Sequence, residues 1–116
     1  MKLGEMNMSK YDIKVTLTPS EALNMVKRFQ NADLVHDEIH DLGEGKEIGT
    51  LVFEKYYMRV GNRVALVVIS DNLKGYTGVR VVSTAGAEGF LFNFDWGASE
   101  SFAESVRDVL SSYIVK

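Results

Sequence analysis

The only two histidines of the chain lie in the run His36-Asp37-Glu38-Ile39-His40. On a strand, alternate side chains share a face, so His36, Glu38 and His40 point one way and Asp37 and Asp41 the other. Two imidazoles and a carboxylate are a donor set suited to a divalent cation. On a helix the histidines would again be neighbours at i and i+4. The zinc-protease helix, however, needs a glutamate directly after the first histidine, and here it is displaced by one. The competing reading is an exposed polar edge strand whose charges discourage sheet-to-sheet association. That reading is preferred, with a metal-dependent protein or enzyme using His36, Glu38 and His40 as the alternative.

Other constellations are thinner. Tyr56, Tyr57, Arg59, Arg63 and Arg80 place aromatics and guanidinium groups on neighbouring strands, where a planar donor fork could meet a carboxylate or phosphate. Surface ion pairing with the sixteen acids of the chain explains them as well and is preferred. The glycine pairs Gly75/Gly78 and Gly86/Gly89 belong to hairpin turns, and neither opens a helix as a phosphate cradle must. The run Glu88 to Phe94 has the look of an RNA-stacking strand, yet it begins with an acid, its ring spacing differs, and the net charge is −3. No serine has a base partner by local pattern. Acid pairs such as Asp37/Asp41 and Asp41/Glu44 are too common in loops to mark a dyad. No catalytic residue and no cofactor is assigned.

The elements that would position these residues read clearly. Tyr11, Ile13, Val15 and Leu17 alternate with polar residues as a half-buried strand. Thr18-Pro19-Ser20-Glu21 carries a helix cap, a proline at the first turn and the capping-box glutamate, predicting a helix from Pro19 to about Asn31. Residues 33–42 are read as a strand, though a short helix also fits, and Gly43-Glu44-Gly45-Lys46 as a hairpin turn. Ile48–Arg59, Val64–Ser70 and Val79–Thr84 continue an antiparallel meander, the middle one aliphatic enough to be covered on both faces. Phe90, Phe92, Phe94 and Trp96 put four large rings on one face of a further strand. A final helix from about Ser99 to Ile114 has Phe102, Val106, Val109, Leu110 and Tyr113 as its apolar stripe.

Length and composition set the frame. The 116 residues suit one domain, and 46% apolar and 25% charged residues are ordinary globular values. With no cysteine there is no disulfide or thiolate metal site. The longest apolar run, Val64–Ile69, is too short to span a bilayer, and no signal-peptide stretch opens the chain. A cytoplasmic protein without nucleic-acid or membrane partners is expected. Leu3-Gly4-Glu5 reads as a purine-rich ribosome-binding tract translated in frame ahead of Met8. Residues 1–8 are therefore expected to be disordered or a mis-assigned start, with 9–116 as a single α+β domain.

The expected fold is strand, helix, five antiparallel strands, helix: a helix-grip or TBP-like curved sheet packed on a long C-terminal helix. The segments Gly61-Asn62-Arg63-Val64, Ser83-Thr84-Ala85-Gly86, Phe90-Leu91-Phe92 and Trp96-Gly97 resemble a family of small uncharacterised bacterial proteins, a domain of unknown function, mainly in the C-terminal half. The resemblance implies that fold and a bacterial origin, and no activity comes with it. The functional expectation is non-catalytic binding. Either a hydrophobic small molecule lies beside Phe92, Trp96 and Val106, or a protein partner or second copy covers a sheet face, the latter as a homodimer.

Overall fold

The computed structural model of the protein describes residues 8–57, 62–85 and 96–115. Strand β1 (Met8–Val15) leads into helix α1 (Pro19–Phe29), followed by β2 (Asp33–Gly43), β3 (Lys46–Tyr57), β4 (Asn62–Asp71) and β5 (Thr77–Ala85). Helix α2 (Trp96–Val109) and a 3-10 turn (Ser111–Tyr113) close the chain. The strands form one sheet in the order β1-β5-β4-β3-β2, every pair antiparallel. Four successive reversals leave β1 and β2 parallel at opposite edges, so α1 crosses the whole sheet between them.

Local chemistry accounts for the elements. Thr18 Oγ1 accepts from the Glu21 N–H at 3.2 Å and Glu21 Oε1 accepts from the Thr18 N–H at 2.9 Å, the reciprocal cap expected of this tetrapeptide. Residues 33–43 are a strand, and the β2–β3 turn has Gly43, Glu44 and Gly45 all at positive φ. Asn72 joins that turn to the β4–β5 loop: its side chain accepts from the Glu47 N–H and donates to the Gly45 carbonyl, each at 2.8 Å.

Both helices lie on one face of the sheet. Leu51, Phe53, Val64, Leu66, Val68, Val79 and Val81 are buried there against Ala22, Leu23 and Val26 of α1 and Ala103, Val106 and Leu110 of α2. Gly49 lets α1 approach, because a Cβ at that position would meet Leu23 Cδ1 at 2.6 Å and the Glu38 carbonyl oxygen at 2.8 Å. Tyr11 fixes α2 to β1: its hydroxyl donates to the Ala103 carbonyl and accepts from the Arg107 N–H at 3.0 Å. Those two backbone groups are four residues apart, the spacing an uninterrupted helix joins directly.

The expected helix-grip or TBP-like arrangement is overturned. Among the described residues the sheet has five strands in all, one before α1 and four after it, and neither helix is long, at 11 and 14 residues. The C-terminal helix starts at Trp96 and ends at Val109, whereas Ser99 to Ile114 was expected. Its last turn gives way to a 3-10 turn because the chain must straighten to pair Ile114 with Val15 at the outer edge of β1. Thr16 donates to Tyr113 at 2.9 Å and Val115 to Lys14 at 2.8 Å. Trp96 is helical and so is not the end of an aromatic strand, and Phe90, Phe92 and Phe94 lie outside the described residues. Residues 1–7 lie outside them too. Strand β4 is also not covered on both sides: Val64, Leu66 and Val68 are fully buried, while Ala65, Val67 and Ile69 on the other face are half-buried.

Candidate functional site

The helix-free face of the sheet is where the structure departs furthest from a sealed domain. Cross-strand register sets Val52, Val67 and Val82 in a row there, and Thr50, Ile69 and Arg80 in the next. The row beyond runs Ile48, Asp71, Gly78 and Lys14, so it contains one position without a side chain. The missing side chain opens a recess of about 390 Å³, bounded by Asp12 and Lys14 of β1, Ile69 and Asp71 of β4, Arg80 of β5, and Lys74 and Tyr76 from the β4–β5 loop.

That loop is held in shape locally. Asp71 Oδ1 accepts from the Leu73 N–H at 3.2 Å, and Gly75 takes a φ of +89° that a residue with a Cβ rarely adopts. Tyr76 consequently stands beside the recess, with the Lys14 ammonium 4.3 Å from its ring centroid. Arg80 reaches Asp12 at 3.6 Å and Asp71 at 3.8 Å, too far for hydrogen bonds, so its donor fork is not consumed by either carboxylate. Ile69 supplies an apolar floor, and three cations face two acids.

The histidine cluster is assembled as a strand reading requires, on this same face at the β2 edge. His40 Nε2 lies 2.9 Å from one Glu38 oxygen and His36 Nε2 lies 3.4 Å from the other. These contacts hold the Glu38 carboxyl below the usual carboxylate range, the His40 hydrogen bond contributing most and that of His36 next. The carboxylate is thereby engaged with both rings, and no group of three or more metal-ligating side chains poised for an ion occurs among the described residues. Asp37 points to the helix side and pairs with Lys27 at 2.8 Å, while Asp41 Oδ1 accepts from the Gly43 N–H at 2.9 Å. Neither belongs to an acid dyad.

The match to known families extends over residues 8–114, with the family described as one of unknown function, DUF6054. The chain belongs to the DUF6054 family. The match takes in the N-terminal half as well as the C-terminal half, to which the sequence resemblance was mainly confined. No curated protein matches the chain. No helix among the described residues is long and apolar enough to cross a membrane.

The arginine and tyrosine group proposed from sequence is divided by the structure. Arg63 sits across from Tyr56 on β3 and pairs with Glu54 at 3.2 Å and Asp33 at 3.4 Å. Arg80 lies six β4 positions further along, across from Ile69, roughly 20 Å away at strand rise. Arg59, Phe92 and the Gly86/Gly89 turn lie outside the described residues, as does the Trp96 side chain. Val106, expected to line a ligand space, is fully buried in the core. Sequence reasoning missed Lys14, Lys74, Tyr76 and Gly78 as a group. One signal was present: a glycine inside a strand marks a place where something approaches the backbone closely.

Proposed function

We propose that this DUF6054 chain is a non-catalytic binding domain that takes a small molecule on the bare face of its sheet. The observation that carries this reading is the recess over Gly78. Its volume of about 390 Å³ falls at the lower end of the range for ligand pockets, about 300–1,000 Å³. It combines an apolar floor at Ile69 and an aromatic wall at Tyr76 with convergent charged groups able to orient a bound molecule. A site on the sheet rather than under the helices also suits a core whose central side chains are fully buried.

The test is a fragment screen followed by amide chemical shifts in two-dimensional NMR. Binding compounds should shift the amides of Ile69, Asp71, Lys74, Tyr76, Gly78 and Arg80 as one set, and Gly78→Val should abolish the response. Shifts confined to other surfaces, or unchanged by Gly78→Val, would refute the reading.

A further inference from the structure

We infer that the recess selects a small organic monoanion with a flat apolar body, in chemical terms an aryl carboxylate. This rests on the binding reading above and adds the ligand class. Lys14, Lys74 and Arg80 face Asp12 and Asp71, so one positive charge is left over and a single negative charge balances the site. The cations are also unequally engaged. Lys14 is drawn onto the Tyr76 ring, whereas Lys74 has no ion-pair partner among the described residues. Arg80 contacts both acids at 3.6 and 3.8 Å without a hydrogen bond, leaving its paired N–H groups open to a carboxylate, which a guanidinium binds in bidentate fashion. Ile69 and Tyr76 provide the surface for a flat ring. An ammonium ligand would meet uncompensated positive charge, and a neutral one would leave the Arg80 fork unused.

Gly78 makes the inference testable without risk to the fold. A Cβ there would meet only Tyr76 Cε2, at 3.8 Å, an ordinary contact, and Gly78 is not at positive φ. The experiment titrates the intact chain with benzoate, benzyl alcohol and benzylamine and follows the recess amides by NMR, in low and high salt. Benzoate should bind about tenfold more tightly than benzyl alcohol, with benzylamine weaker still. Arg80→Gln and Lys74→Gln should each weaken benzoate severalfold to about tenfold, while leaving benzyl alcohol unchanged. High salt should weaken benzoate alone. If all three probes bind equally, or benzylamine binds best, and Gly78→Val abolishes them, the ligand class is wrong and the binding reading survives. If none of the three shifts a recess amide, the ligand class is wrong, and the binding reading is decided by the fragment screen with Gly78→Val.

Discussion

Gly49 and Gly78 are strand glycines used in opposite ways. At Gly49 the space is already taken by Leu23 and the Glu38 carbonyl, so Gly49→Ala forces backbone to move and should cost about 1–3 kcal/mol in urea unfolding. At Gly78 a Cβ would make only an ordinary contact with Tyr76, and Gly78→Val should leave stability unchanged or slightly higher, since valine suits a strand better than glycine. Tyr11 gives a prediction in alkali. Burial pushes its phenol up to about 12, partly offset by the Arg107 N–H bond. Because the unfolded phenol ionises near 10, this contribution to stability is complete below pH 10 and is lost as pH rises toward 12. Tyr11→Phe should remove that alkaline dependence and cost about 1–2 kcal/mol at neutral pH, read from denaturation curves at several pH values. The Lys27 ammonium, through its hydrogen bond first and its charge second, holds the Asp37 carboxyl below the usual range. In Lys27→Ala an NMR titration should find the Asp37 carboxyl raised toward its ordinary value.

At the scale of elements, the two sheet edges are managed differently. The outer edge of β1 is partly closed by residues 113–115, whereas β2 is exposed along all 11 residues, with Leu34, Val35, Ile39 and Leu42 among its exposed apolar side chains. Its acids guard it. Antiparallel pairing of two copies centred on Asp37 opposes Asp37 to itself; centred on Glu38 it opposes Glu38 to itself; centred on Ile39 it opposes Asp37 to Asp41. Like charges directly opposite destabilise a strand pair. Asp37→Thr with Asp41→Thr should therefore promote association through this edge, visible as a rise in mass by light scattering. Elements whose signals are local were legible in the sequence: the Thr18–Glu21 cap, the turn at 43–46 and, with a short helix as the competing reading, the strand expected over 33–42 and found at 33–43. The stopping point of α2 was not, because Leu110 and Tyr113 fit a continuing helical stripe and only the demand of Val15 for a partner ends it. The bare face was hidden for a similar reason. The aliphatic run 64–69 reads the same whether its second face meets a helix layer or a ligand.

For the whole molecule, placing both helices on one side leaves the other face of the sheet bare. The recess draws Lys14 from β1 and Lys74, Tyr76 and Arg80 from the β4–β5 hairpin, residues about sixty positions apart in sequence that only the closing of β1 onto β5 brings together. Beyond the strand glycine at 78, no local pattern joins these residues, and the sequence places Arg80 with Tyr56, Tyr57, Arg59 and Arg63 instead. A ligand held there would bridge β1 to the hairpin. Strand β1 takes its two neighbours from residues 77–84 and from 113–115, so during synthesis it has no strand to pair with until β2, β3 and β4 have been made. At about 5–20 residues per second this leaves β1 waiting for seconds with its apolar side uncovered. Folding during synthesis must wait at an unfinished meander, and a chain cut short before residue 113 would carry a sheet with a newly opened flank.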